Sequence, residues 1–208
     1  MDSREFCYSC YRPLNSCMSQ YIKPIDTKTK FIILMHPKEY RKTKNGTGHF
    51  TNKGLKNSHL YIGIDFSNHL HINKILNDAS NDCYLLYPGE DSINLTTTQI
   101  KTEKTLVIFI IDSTWPCSKK MLRVSKNLQN LKKISFDSNI VSKFSIKKQP
   151  SQYCLSTIES TQEILKLLNK YNIEKIQDSK LNSFITPFTK MVEFQLNCAK
   201  ELSIIRYK

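Results

Sequence analysis

Apolar residues fall into short unbroken runs separated by polar, lysine-rich stretches, and the spacing within the runs changes along the chain. Residues 31–35 (FIILM), 83–87 (CYLLY) and 106–111 (LVIFII) are continuous apolar segments of strand length, the pattern of strands covered on both faces. Residues 60–64 (LYIGI) predict a further strand and 134–136 a short one. Between them the period lengthens. Leu70, Ile72, Ile75 and Leu76 predict a helix over 66–77. Pro116 suits a first helical turn that Ser113 or Thr114 can cap, predicting a helix over 116–128. Ser156 and Glu159 have capping-box spacing ahead of Ile158, Ile164, Leu165, Leu167 and Leu168, predicting a helix over 157–170. Ile185, Phe188, Val192, Leu196, Ala199 and Leu202 recur at steps of three and four, one face of a long C-terminal helix. The stretch 36–56 is polar, basic and glycine-containing, a loop or a loop with a short helix. Strands alternating with helices predict an α/β fold with a mainly parallel sheet over residues 25–208. Residues 1–24 follow neither period and read as a small N-terminal Cys-rich knuckle ending near Pro24.

A chain of 208 residues buries one good core, so the knuckle is an appendage to one main domain. The longest apolar run, 106–111, is too short to span a bilayer, and the N-terminus has no signal-peptide stretch, so the expected location is the cytoplasm, with no membrane partner. A net charge of +13 points to an acidic partner, and nucleic acid rewards each Lys or Arg by counterion release. The charge is uneven. From Lys119 to Lys148 nine basic residues face one acid, Asp137, which predicts a phosphate-binding face rather than evenly spread lysine.

Five short blocks are candidates for chemistry. Cys7 and Cys10 form a C-x2-C pair, two thiolates from one turn, and Cys17 is a third ligand candidate for zinc. Ser19 stands where a fourth is expected, which leaves His36, His49, His59, Cys83 or water; free thiols are the alternative. Asp112-Ser113-Thr114-Trp115-Pro116 follows the strongest strand, where ligands sit in open α/β sheets. There Asp112 is a candidate general base and Trp115 a stacking ring, against a plain helix cap and a core tryptophan. Tyr87-Pro88-Gly89-Glu90-Asp91-Ser92 is a turn that lets backbone approach a ligand. Leu155-Ser156-Thr157-Ile158-Glu159 is either an anion-accepting helix N-terminus or an ordinary capping box. His36 to Gly48 (HPKEYRKTKNGTG) interleaves basic residues with an aromatic, a grip for an RNA backbone or a solvated loop.

Taken in order, CYSCYRP, HPKEYRKTKNGTG, LYPGED, DSTWP and LSTIE resemble the DTW-domain family of aminocarboxypropyltransferases, over residues 7–159, about three quarters of the chain. The resemblance implies a fold related to the SPOUT methyltransferases, with a C-terminal trefoil knot enclosing S-adenosylmethionine. It implies transfer of the 3-amino-3-carboxypropyl group to N3 of a uridine in the elbow or D-arm region of tRNA, releasing methylthioadenosine. Tyr87, Pro88, Gly89, Glu90, Asp112, Ser113, Thr114, Trp115, Leu155, Ser156 and Thr157 would hold the cofactor, with Asp112 removing the N3 proton. Lys38, Arg41, Lys42, Lys44, Asn45, Lys119, Lys120 and Arg123 are the expected RNA contacts, with tRNA and not DNA as partner, and Cys7, Cys10 and Cys17 the metal ligands. Two departures stand out: Ser19 replaces the family's last cysteine, and Gly46 enlarges the N-T-G element. A SPOUT-type RNA methyltransferase and a non-catalytic RNA-binding protein are the competing expectations.

Overall fold

The computed structural model describes residues 5–10, 12–42, 46–137, 142 and 154–206, without the side chains of 41–42 and 201–206. Strands with apolar residues at every position need cover on both faces, and this chain supplies it. Six strands, β1 (Lys30–Met35), β2 (Ser58–Ile62), β3 (Asn81–Leu86), β4 (Ile93–Asn94), β5 (Thr105–Asp112) and β6 (Lys132–Ser135), make one sheet in the order β2-β1-β5-β3-β6-β4. All five pairings are parallel. The expected mainly parallel α/β sheet is therefore present, and the runs FIILM and LVIFII lie at its centre, with every side chain of Phe31 to Met35 fully buried. The strand order does not establish the expected C-terminal trefoil knot, and residues 138–141 and 143–153 lie outside the described residues.

One face of the sheet carries α2 (Thr47–Gly54), α6 (Thr157–Lys170), α7 (Asp178–Phe184) and α8 (Thr186–Arg206), packed through Phe50, Ile158, Leu165, Phe184 and Phe188. The other carries α3 (Leu70–Asn77), α4 (Trp115–Val124) and α5 (Lys126–Gln129), packed through Ile72, Met121 and Leu128 against Ile32, Leu34, Val107 and Phe109. Completely burying one such side chain stabilises the fold by roughly 1.5–3 kcal/mol.

Helix α6 has the predicted bounds because the capping box is formed: Glu159 accepts the Ser156 backbone N–H at 2.9 Å. Elsewhere local chemistry changed the expected boundaries. The predicted helix over 116–128 is split at Ser125, whose backbone leaves the helical region and whose hydroxyl accepts the Phe66 N–H at 3.0 Å. Neither Ser113 nor Thr114 caps α4 by its side chain; Thr114 occupies the cap position with its backbone alone, its carbonyl accepting from Ser118 N–H. The stretch 36–56 holds two helices, α1 (Pro37–Lys42) and α2, rather than a loop. Helix α7 and the two-residue β4 carry too few apolar residues to show in the periodicity.

The N-terminal residues fold onto the main body. Phe6 and Pro13 form an antiparallel bridge, Met18 is buried in the larger core, and Ile25 bridges Leu55.

Candidate functional site

Because all six strands point the same way, their carboxyl ends share one rim, where α/β sheets bind ligands. Asp112 ends β5 there, 7% exposed. Thr157, in the first turn of α6, donates its hydroxyl to Asp112 Oδ1 at 2.5 Å. Gly48 of α2 lies so close that a methyl group there would stand 2.5 Å from Asp112 Oδ2 and 2.9 Å from Met35 Cε. The His36 N–H, at the end of β1, donates to the Asp112 carbonyl at 3.0 Å. Three sequence blocks, HPKEYRKTKNGTG, DSTWP and LSTIE, thus meet at one carboxylate.

The fourth block joins through aromatic rings. Tyr87, just beyond β3, meets Trp115 edge to face, with ring centres 6.1 Å apart, and Trp115 is 38% exposed, so it is no core tryptophan. The Pro88-Gly89-Glu90 turn is exposed, closed by the Ser92 N–H and hydroxyl on the Gly89 carbonyl. Ser113 is half-buried and Thr114 exposed beside Asp112. Leu155 is half-buried ahead of α6. The Ser156 N–H and hydroxyl both go to Glu159, which also accepts from Ser142, so this helix start is the ordinary capping box and not an open anion seat.

Three residues at this rim have no role there in the sequence reading, which names His36 and His49 only as candidate zinc ligands. His36 is 5% exposed; burial, then the charges of Lys38 and Lys120, lower its pKa, and its Nδ1 accepts the Lys38 N–H at 3.1 Å, the hydrogen bond of a neutral ring. His49, next to Gly48, is lowered chiefly by burial and then by Lys53, and its Nε2 has no hydrogen-bond partner among the described residues. Gly48 closes the basic block of the sequence, and in the structure it is the helical surface on which Asp112 rests. The glycine was the available signal, because a glycine inside a helix costs stability unless something must approach closely.

The cysteines form a second cluster. The sulfur atoms of Cys7, Cys10 and Cys17 lie within 4.8 Å of one another. Cys10 Sγ and Cys17 Sγ are 3.6 Å apart, Cys7 Sγ and Ser19 Oγ 3.7 Å, and the Ser19 N–H donates to Cys17 Sγ at 3.4 Å. The Cys10 N–H, followed by the Cys17 and Ser19 side chains, lowers the Cys7 thiol to about 6, whereas burial raises that of Cys17. Zinc–sulfur bonds of about 2.3 Å give a tetrahedral edge of about 3.8 Å, close to the 3.6 Å between Cys10 Sγ and Cys17 Sγ, so the three thiols are gathered as a zinc site needs them. None of His36, His49, His59 or Cys83 joins the cluster, which removes them as fourth ligands among the described residues. Lys53, on α2, donates its ammonium to the carbonyl and hydroxyl of Ser9, tying the knuckle to the helix that carries Gly48.

Charge divides between the two faces of the sheet. Helices α3, α4 and α5 carry Lys74, Lys119, Lys120, Arg123 and Lys126 with no acid, all five exposed. On the opposite face α6, α7 and α8 carry five acids against six bases, counted over their printed sequences. Lys38 is exposed on α1; Arg41 and Lys42 lie in its last turn, and Lys44 and Asn45 fall outside the described residues. No helix among the described residues is long and apolar enough to cross a membrane.

Comparison with known proteins adds the family context. The sequence model of the DTW domain matches residues 4–196. The chain is 26% identical over 201 residues to tRNA-uridine aminocarboxypropyltransferase 2 of Drosophila melanogaster, covering 93% of this chain and 76% of that protein. It is 25% identical over 208 residues to the protein of the same name from Mus musculus, covering 98% and 67% of the two chains. With that of Macaca fascicularis it shares 26% identity over 206 residues, 97% and 67% of the two chains.

Proposed function

The chain belongs to the DTW-domain family, and from that premise we propose that it transfers the 3-amino-3-carboxypropyl group of S-adenosylmethionine to N3 of a tRNA uridine in the cytoplasm. The observation that carries this reading is the meeting of three motif blocks at Asp112, held by Thr157 on one side and abutted by Gly48 on the other. The relatives named for this reaction support it, as does the basic face beside the rim.

The rim suits such a donor. Tyr87 and Trp115 offer aromatic faces for an adenine, and the Pro88-Gly89-Glu90 turn brings backbone and a carboxylate to its edge. Ser113, Thr114, Leu155, Ser156 and Thr157 line the two neighbouring segments. When bound, the sulfonium supplies an electrophilic methylene, which N3 attacks as the carbon–sulfur bond breaks and methylthioadenosine departs. Asp112 takes the N3 proton, so the nitrogen lone pair is free as the new bond forms. The Thr157 hydroxyl fixes the carboxylate, and the buried end of β5 keeps it from turning into solvent. A SPOUT-like arrangement, as the family resemblance implies, would close a C-terminal knot around the donor. Purified chain incubated with S-adenosylmethionine and unmodified tRNA is expected to yield methylthioadenosine and an aminocarboxypropyl-uridine by nucleoside mass spectrometry. S-adenosylhomocysteine as product makes it a methyltransferase instead, and no product from either route makes it a non-catalytic binder.

The tRNA contacts fall on Lys38, Arg41, Lys42, Lys44 and Asn45 near the rim and on Lys119, Lys120 and Arg123 of α4. Replacing Lys119, Lys120 and Arg123 by alanine is expected to weaken tRNA binding and to make the slope of log K against log salt shallower by roughly 2–3, since each lost phosphate contact removes about 0.7–0.9. S-adenosylmethionine affinity measured by calorimetry should stay unchanged. An equal loss in both places that stretch under the donor pocket rather than under RNA.

The knuckle, residues 1–24, is an appendage of the catalytic domain at 25–208 and holds one zinc through Cys7, Cys10 and Cys17, with Ser19 at the fourth corner. The metal there supplies rigidity. Metal analysis is expected to find one zinc per chain, lost in Cys10→Ser together with a lowered Tm, while Ser19→Cys should hold zinc against a chelator that strips the natural site. A metal-free natural chain with an unchanged Tm would remove zinc from the account.

A further inference from the structure

Away from the rim, the open edge of the sheet carries an array of rings that the proposed chemistry does not use. Strand β2 is terminal in the sheet and, among the described residues, pairs with β1 alone. His59 and Tyr61 alternate along it and therefore point to the same face. Their rings are within 24° of parallel, with centres 6.4 Å apart, and the His71 ring continues the series within 12° of Tyr61 at 6.3 Å. His69 holds the middle ring in place, standing edge-on to Tyr61 at 4.7 Å while its own Nδ1 accepts the Ile72 N–H at 3.4 Å. His59 and His71 are exposed, and Leu70 beside them is 77% exposed.

We propose that this ladder of His59, Tyr61 and His71 is a stacking platform for unpaired bases of the RNA substrate, a few nucleotides from the one that enters the rim. The inference rests on the tRNA reading above and names a surface that reading leaves unassigned. Three observations select RNA. The two outer rings, His59 and His71, are exposed and lie near parallel to the half-buried Tyr61 between them, so the series offers π faces at its ends, the part of a side chain that stacks on any base. The face of the sheet onto which they project carries five basic residues and no acid on α3 to α5, so the phosphates flanking a stacked base meet complementary charge. The ladder also lies near the same rim: β2 is two strands from β5, roughly 10 Å along the sheet, and because Asp112 turns to the α2 and α6 side while the rings lie on the α3 side, an RNA strand that meets both passes over the carboxyl ends of the strands. Metal binding is the other use of clustered histidines, and the ring nitrogens here do not converge: among the described residues the cysteine trio is the one such group.

The test uses the full chain and fluorescence anisotropy with two probes, tRNA and a fully paired RNA duplex, each at two salt concentrations. The double variant His59→Ala and His71→Ala, both at exposed positions, is expected to bind tRNA about tenfold more weakly, as does Tyr61→Leu. Tyr61→Phe, which keeps the ring, should bind as the natural chain. Duplex affinity and the salt slope should not move, unlike the change expected from the α4 lysines. Unchanged tRNA affinity in the double variant overturns the proposal, and so does an equal loss on duplex, which marks a phosphate contact. Self-association of the natural chain that the double variant abolishes also overturns it, because the surface then belongs to a second copy. A natural chain that binds tRNA through the ladder but yields no methylthioadenosine would sink the proposed reaction and leave the platform standing.

Discussion

Gly48→Ala is expected to cut the transfer rate by about a hundredfold while leaving the fold almost as stable as before. The new methyl group would sit 2.5 Å from one Asp112 carboxylate oxygen, 2.7 Å from its carbon and 2.9 Å from Met35 Cε, distances no carbon tolerates. Something must move. The backbone of α2 is fixed by packing on both β1 and α6, whereas the Asp112 side chain can turn about its own bonds, so the carboxylate gives way by about 1 Å. Displacements of that size at a reacting group cost on the order of a hundredfold in rate. The stability balance is different. Alanine is favoured over glycine inside a helix by about 1 kcal/mol, which offsets much of the ~1–3 kcal/mol of overpacking. Gly54→Ala, on the same helix, is the comparison: its methyl would stand 2.7 Å from the Phe184 ring, far from the carboxylate. That variant has the same helix gain set against a similar overpacking cost, so its Tm should shift no more than that of Gly48→Ala, and it should keep the rate per folded molecule. Equal effects of the two substitutions on rate would show that Asp112 is not the group positioned by Gly48.

The second large effect is expected from Asp112→Asn. An asparagine fills the same space and still accepts the Thr157 hydroxyl through its carbonyl oxygen, so the rim keeps its shape. It no longer accepts a proton. General-base contributions run to about 10²–10⁴-fold, and a loss in that range is expected in single-turnover transfer, with tRNA and donor affinities within about twofold of the natural chain. Thr157→Val separates placement from chemistry: it removes the hydrogen bond but not the carboxylate, and the expected loss is smaller, about tenfold. A fully active Asp112→Asn chain would leave the N3 proton to another group, and the desolvated neutral ring of His36, a residue whose backbone N–H donates to the Asp112 carbonyl, is a candidate.

What could be read in advance followed from how loudly each element announces its burial. FIILM and LVIFII are central strands because both faces of the sheet are covered, and no polar residue interrupts either run. The α6 boundaries were legible because Ser156 and Glu159 write the cap into the sequence. Helix α2 was not legible: its buried positions are Gly48, Phe50, Thr51 and Gly54, and small residues carry no hydrophobic period. The same smallness is what lets Asp112 approach. The rim was legible only as separate blocks. Asp112 and Thr157 are 45 residues apart, and no local pattern states that their side chains touch. Resemblance supplied the grouping, and the parallel sheet supplies its physical reason by bringing β1, β3 and β5 to one edge. The ring ladder had a readable signal in the alternation of His59 and Tyr61, masked by the apolar residues around it.

The place of β5 in the sheet also constrains how the molecule comes into being. It lies between β1 and β3, both of which precede it in sequence, so a nascent chain that has emerged only as far as Glu103 holds two strands with no shared neighbour. Until residues 105–112 leave the ribosome, the inner edges of β1 and β3 stay open with their apolar faces uncovered, a template for pairing with another chain. Nonlocal parallel pairing of this kind is slow. Chains stalled or truncated before Thr105 should therefore aggregate rather than fold, and the protein should lean on chaperones during synthesis more than a helical bundle of the same length would.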